Sequence, residues 1–206
     1  MAKRDYSSWS KEQLISELHE LNKRKKFGLV WEDRNEDNAQ VLQGSIPLFK
    51  HQQKKDVLAG DDDSSNLMIV GDNLHSLSVL NYTHPKSFDV IYIDPPYNTG
   101  KSDFIYNDKY VKDDDSYRHS MWLSFMEKRL KLAKKLLASG GLIFISIDDN
   151  EYPRLALIAD EIFGAARRIG PIVWFYEGVN DNTAFVKKTH EYVLCYSADD
   201  SPKLSR

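Results

Sequence analysis

Asp94, Pro95, Pro96 and Tyr97 stand in line where a β-branched and aromatic run, FDVIYI (88–93), stops. Proline fixes φ and has no N–H. The Asp94–Pro96 backbone is therefore stiff, and Pro95 and Pro96 offer carbonyls without a competing donor. The Asp94 carboxylate adds another acceptor. The result is a rigid acceptor pair suited to an –NH2 group, and Tyr97 supplies a flat face on which a planar ring stacks. An amino group on a planar ring describes adenine or cytosine, and reaching such a base in a duplex requires flipping it out of the stack. The polar residues that follow, Asn98, Thr99, Gly100 and Lys101, are predicted to contact the phosphate or sugar of that nucleotide. The plainer alternative is a rigid turn at a strand end.

Strands and helices must hold these residues in place. LMIV (67–70) and FDVIYI (88–93) read as strands, with LHSLSVLN as a short helix between them. A long polar loop is expected through NTGKSDFIYNDKYVKDDDS. A helix follows over about residues 117–138, with Trp122, Phe125, Met126, Leu130 and Leu137 apolar and Lys128, Lys131, Lys134 and Lys135 on a basic side. Gly140 and Gly141 are expected to close it as C-caps. LIFISI (142–147) is a third strand, followed by a helix at about 151–163. PIVWFYE (171–177) and HEYVLCYS (190–197) frame the turn-rich GVNDN and predict a β-hairpin. Near the N-terminus, Ser10 and Gln13 have the spacing of a capping box ahead of a helix carrying Leu14, Leu18 and Leu21. Residues 27–66 are polar and weakly periodic. Strands alternating with helices, then a terminal hairpin, predict an α/β fold with a mostly parallel sheet and an antiparallel edge.

In open α/β sheets, sites form at the carboxyl ends of strands. Three predicted strands end in acids: Asp72 after LMIVG, Asp94 after VIYI, and Asp148–Asp149 after FISI. Asp72 or Asn73 could instead cap the helix that follows, as could Asp149 or Asn150. Asp94 has no helix immediately after it.

Composition narrows the classes. The 206 residues are 41% hydrophobic and 29% charged, a globular balance. The net charge of −3 excludes a bulk electrostatic footprint for nucleic acid and leaves room for a local patch, such as the helix lysines. The single cysteine, Cys195, allows no intrachain disulfide and points to a reducing compartment; its apolar surroundings predict a core role. MAKRDYSSWS lacks the apolar segment of a signal peptide. The six histidines show no ligand spacing, so no metal is expected.

The DPPY run, and more fully DPPYNTG, resembles the catalytic motif of amino-group DNA methyltransferases that use S-adenosyl-L-methionine. NLMIVGDNLHSLSVLN, SMWLSFMEKRLKLAKKLLASGGLIFISIDDNE, THEYVLCYS and KRKKFGLVWEDR are similar to the modification (Mod) subunits of Type III restriction–modification systems and their β-class relatives. The resemblance spans nearly the whole chain, most strongly residues 66–197. It implies a Rossmann-like methyltransferase fold and transfer of a methyl group to adenine N6 in double-stranded DNA. Asp94 and the Pro95 carbonyl would hold the amino group, with Pro96 stiffening the motif and Tyr97 stacking on the flipped base. Asp72, with Asn73 beside it, would contact the cofactor. A leading Asp favours adenine N6 over cytosine N4, where the family more often carries Ser. The resemblance also implies a second Mod subunit and a restriction subunit as partners, and a cytoplasmic location.

The same resemblance exposes a gap. Such enzymes carry a glycine-containing FxGxG-type segment for the methionine part of the cofactor, and neither FGAARRIG (163–170) nor KFGLVW (26–31) matches it. The expectation is an N-terminal part of a longer enzyme with an incomplete Rossmann-like sheet. Residues 1–65 would form a helix and irregular arm, and 66–206 the catalytic half, with the LMIV edge exposed and little activity alone. A rival class is a non-catalytic DNA- or subunit-binding remnant. Methyl transfer to RNA or protein amides is a third, disfavoured because such relatives more often carry Asn at the place of Asp94.

Overall fold

A computed structural model describes residues 6, 9–23, 31–33, 36–52, 66–107, 109–112, 115–176 and 189–202. The chain divides into two compact units, Met1–Val30 and Trp31–Arg206. In the first, helix α1 (Lys11–Lys23) begins with the expected capping box: the Gln13 backbone N–H donates to Ser10 Oγ and the Ser10 N–H to Gln13 Oε1. Leu14, Ile15 and Leu18 on this helix are exposed.

The second unit contains, in order, α2 (Asp37–Gly44), α3 (Asn73–Thr83), β1 (Phe88–Ile93), β2 (Lys101–Tyr106), β3 (Lys109–Lys112), α4 (Arg118–Leu136), β4 (Leu137–Ile147), α5 (Tyr152–Phe163), a short 3-10 turn (Ala165–Arg167), β5 (Arg168–Phe175) and β6 (His190–Ser197). The main sheet runs β1-β4-β6-β5. β1 and β4 are parallel, with Ile93 opposite Ile145. β6 runs antiparallel to both β4 and β5. The α/β class and the terminal hairpin hold, with GVNDN outside the described residues. The sheet is mixed, with one parallel and two antiparallel ladders among the described strands, so its parallel share is smaller than the periodicity predicts.

Leu67–Val70 accounts for the difference. This run is in neither sheet, and Leu67, Met68 and Val70 are exposed. A strand needs a neighbour for its ladder, and β1 remains an edge strand, as does β5.

Two further expectations are corrected. The stretch after Tyr97 contains an antiparallel hairpin, β2–β3, in addition to loop. Phe104, Tyr106 and Val111 bury themselves while Ile105 faces out, the alternation of a half-buried strand. The Phe104 ring meets Phe125 edge-on at 5.3 Å. Helix α4 ends at Leu136 with Leu137 as its cap, so Gly140 and Gly141 lie inside β4. Gly140 takes φ +71°, at the irregularity where β4 carries extra residues opposite Phe88–Val90. Gly141 is needed for closeness: a Cβ there would stand 2.9 Å from the Phe88 carbonyl oxygen and 3.2 Å from that of Asp89.

The core lies where α4 and α5 cover the sheet. It is built from Trp122, Met126 and Leu130, from Leu155, Ile158 and Phe163, and from Ile143, Ile145 and Ile147. Tyr196 and Cys195 join it from β6. Burial pushes the Cys195 thiol up from its ordinary pKa. This fits its predicted packing role, since an unionised thiol is a poor nucleophile.

Candidate active site

β1 delivers its last residues to the carboxyl end of the sheet, where Asp94 is exposed and Pro95, Pro96 and Tyr97 are half-buried. The four predicted residues differ in what they present. The Ser146 hydroxyl on neighbouring β4 lies 3.1 Å from Asp94 Oδ1. Asp94 Oδ2 has no hydrogen-bond partner among the described residues, and neither does the Pro95 carbonyl. The Pro96 carbonyl is already taken, by the indole N–H of buried Trp122 at 2.7 Å. The available acceptor pair is therefore Asp94 with Pro95, while Pro96 serves as an anchor.

Tyr97 donates its hydroxyl to Glu191 Oε2 on β6 at 3.2 Å. Burial foremost, then the Glu191 and Asp94 carboxylates, hold its hydroxyl well above the ordinary tyrosine pKa, with Ser146 opposing weakly. Tyr97 thus remains neutral and its ring is tethered at the far end.

The residues after the motif separate into two groups. Asn98 was expected to face nucleic acid and does not: its side chain is 0% exposed and its backbone is left-handed at φ +56°. Its amide donates to Glu151 Oε1 and, at 3.5 Å, to the Arg118 carbonyl. Glu151 is itself fully buried, accepts His119 Nδ1 on the same oxygen, and has Arg154 at 3.5 Å from its other oxygen. Asn98 is thus a clamp that fixes the loop to the starts of α4 and α5. Thr99, Gly100 and exposed Lys101 form the outward turn. There the Thr99 N–H donates to Asp103 Oδ2 and the Lys101 N–H to Thr99 Oγ1, with Gly100 at φ +78°.

At the third acidic strand end, Asp148 braces the turn through the N–H and side chain of Asn150, and Glu151 occupies the cap position without a side-chain cap. Neither Asp149 nor Asn150 caps α5 as the sequence suggested.

Asp72 belongs to a second cluster. Its Oδ1 accepts the backbone N–H groups of Leu74 and His75, so it caps α3. Its Oδ2 accepts from Asn38 at 2.9 Å. Asn73 Oδ1 accepts from Arg129 Nε at 2.6 Å. The Arg129 guanidinium is 3.5 Å over the Phe125 ring and forms a two-pronged pair with Glu36. Sequence reasoning passed over both Glu36 and Arg129. The available signal was Arg129 falling on the apolar stripe of α4, in step with Trp122, Phe125, Met126 and Leu130. A cavity of about 230 Å3 opens here, lined in part by Asp72, Asn38, Phe125 and Arg129. It is smaller than the roughly 300–1,000 Å3 of small-molecule sites.

Three of the four predicted helix lysines are engaged, and Lys135 is exposed. Lys128 lies 3.4 Å from Glu36 and Lys131 pairs with Glu127. Lys134 donates to the Ile162 carbonyl. Among the described residues, no helix is long and apolar enough to cross a membrane, and no group of three His, Cys, Asp or Glu could hold a metal ion.

Comparison with known proteins adds a family to this geometry. Residues 88–205 match the N6/N4 methyltransferase family described as DNA methylase. The chain is 37% identical over 180 residues to the Mod subunit of the Type III restriction–modification enzyme StyLTI from Salmonella typhimurium, covering 77% of this chain and 28% of that protein. It is 43% identical over 150 residues to the Type II methyltransferase M.KpnI from Klebsiella pneumoniae, covering 70% and 35%. The chain thus spans about a third or less of these curated relatives. Among solved structures, the PvuII cytosine-N4-specific DNA methyltransferase aligns with a TM-score of 0.46 at 18% identity, over 65% of this chain and 49% of that one.

Proposed function

Because this chain belongs to the DNA methylase family, we propose that Asp94–Tyr97 is the catalytic segment of a site-specific adenine-N6 DNA methyltransferase of a restriction–modification system. One observation carries the proposal: an unpaired acceptor pair, Asp94 Oδ2 and the Pro95 carbonyl, on a loop anchored from behind. An exocyclic amino nitrogen is a poor nucleophile because its lone pair is delocalised into the ring. Accepting its two N–H bonds at Asp94 and Pro95 localises that pair on nitrogen and aims it. Such catalysis rests on positioning and electrostatic complementarity. Tyr97, tethered through its hydroxyl, presents its ring to the flipped base. A leading Asp favours adenine over cytosine.

S-adenosyl-L-methionine would supply the electrophilic methyl group. Asp72 Oδ2 is the acceptor for its adenine amino edge, and Asn73, with Oδ1 already engaged by Arg129, would offer its amide N–H. Of the predicted DNA contacts, Thr99, Gly100 and Lys101 fit the duplex side by exposure and charge, and Asn98 is withdrawn because it is buried. The similarity to Mod subunits of Type III restriction–modification enzymes favours DNA as substrate and further subunits of such a system as partners; a double-stranded substrate, a second Mod subunit, a restriction subunit and action in the cytoplasm belong to the same proposal.

The test is transfer of a labelled methyl group to DNA, followed by digestion to nucleosides. The expected product is N6-methyladenine, lost in Asp94→Ala. N4-methylcytosine would reassign the base. Saturable DNA binding with no transfer would replace the enzyme reading with a binding module.

A further inference from the structure

Ser146 is the only described side chain hydrogen-bonded to Asp94, and it is 7% exposed on β4, beside Ile145, which pairs with Ile93. Three oxygens lie close to its hydroxyl, Asp94 Oδ1 at 3.1 Å, the Ile93 carbonyl at 3.3 Å and the Tyr92 hydroxyl at 3.1 Å, and the neutral Tyr97 hydroxyl is also within its reach. Ser146 has one proton to give. A carboxylate is the stronger acceptor and the Asp94 oxygen is nearer than the carbonyl, so the proton goes to Asp94. The Tyr92 hydroxyl must then be the donor to Ser146, because two hydroxyls facing each other need one proton between them. The order is Tyr92 O–H to Ser146 O–H to Asp94 Oδ1.

This order has a consequence for the acceptor pair. A lone aspartate at a strand end rotates about its terminal torsion, which is broad and roughly two-fold. Ser146 holds one oxygen from within the sheet and leaves the other, Oδ2, outward on the same rigid segment as the Pro95 carbonyl. We propose that Ser146, itself oriented by Tyr92, is a positioning residue that selects which carboxylate oxygen of Asp94 meets the target amino group. The inference rests on the function proposed above for its purpose. Its geometry is testable without it.

The experiment follows the order of the Asp94 carboxyl carbon by NMR relaxation of the intact chain at neutral pH, in the wild type and in Ser146→Ala and Ser146→Thr. A carboxylate freed from its hydrogen bond rotates about its broad terminal torsion. Ser146→Ala is therefore expected to loosen the Asp94 carboxylate, with Ser146→Thr restoring its order. A Ser146→Ala protein that stays folded by circular dichroism with the Asp94 order unchanged overturns the inference. If Ser146→Ala does not fold, Tyr92→Phe on the exposed side decides: a loosened Asp94 supports the order of donors and an unchanged one overturns it. In the methyl-transfer assay, Ser146→Ala should lower kcat about tenfold or more with KM for DNA unchanged. A wild type without transfer counts against the proposed function, and the relaxation measurement then judges Ser146 alone.

Discussion

Glu36 and Arg129, 93 positions apart, meet through two hydrogen bonds of 2.7 and 3.2 Å, with both side chains almost wholly buried. The pair fastens the start of α2 to the middle of α4 and stands behind Asp72 and Asn73. Removing one partner leaves the other buried with weaker company, Lys128 at 3.4 Å for Glu36 and Asp72 at 4.0 Å for Arg129, so the cost approaches but does not exceed that of a broken buried pair, about 3–5 kcal/mol. Glu36→Ala and Arg129→Ala are each expected to destabilise the fold by that order in urea unfolding. The combined Glu36→Leu/Arg129→Met protein should lose less than either single variant. Near-zero losses in both singles would show that the pair does not hold these elements together.

Trp122 should matter beyond its size. Trp122→Phe retains a large apolar ring but leaves the Pro96 carbonyl without its donor. Leaving this part-buried acceptor unmet costs toward the low end of about 1–3 kcal/mol, read as a lower denaturation midpoint with an unchanged slope. Stability equal to wild type would mean that water takes over the bond.

Gly141→Ala is predicted to cost about 1–3 kcal/mol through overpacking, because the new methyl group would press on the Phe88 and Asp89 carbonyls, which are backbone atoms. A fall in Tm is the measure. An unchanged Tm would show that β1 and β4 can separate locally at no expense.

The alkaline side of the stability curve is set by tyrosines. Burial foremost raises the pKa of Tyr97, Tyr106 and Tyr196, aided by Glu191, Glu36 and Asp160 respectively. A group whose folded pKa is raised gives stability that is intact below its unfolded value, near 10, and lost as pH rises toward the folded one. Unfolding free energy should therefore hold up to about pH 10 and then decline. Tyr196→Phe should flatten the decline. Ultraviolet titration checks this, since tyrosinate absorbance should lag that of the unfolded chain.

The parts of this fold visible in sequence are those whose pattern is local. β1, α5 and the terminal hairpin announce themselves by apolar runs and punctuation, and DPPY by the stiffness of two prolines. The β2–β3 hairpin escaped because only Phe104, Tyr106 and Val111 turn inward, a short alternation inside a polar stretch. The glycines after α4 resembled caps because cap and close approach use the same residue, and only the nearness of the Phe88 backbone separates them. Asn98 looked like a ligand contact because a polar residue beside a motif gives no sign of the buried carboxylate, Glu151, awaiting it 53 positions later. The Glu36–Arg129 pair was equally out of reach, since nothing within either segment names its partner.

The indole of Trp122 gives the protein an optical gauge. It is fully enclosed and hydrogen-bonded to the Pro96 carbonyl, whereas Trp174 on edge strand β5 faces solvent. Its emission should lie to the blue of the exposed chromophore and report the polarity directly beneath the Asp94–Tyr97 loop. Any molecule that shifts the loop disturbs that indole, so occupancy of the site should be readable as a colour change, without a label.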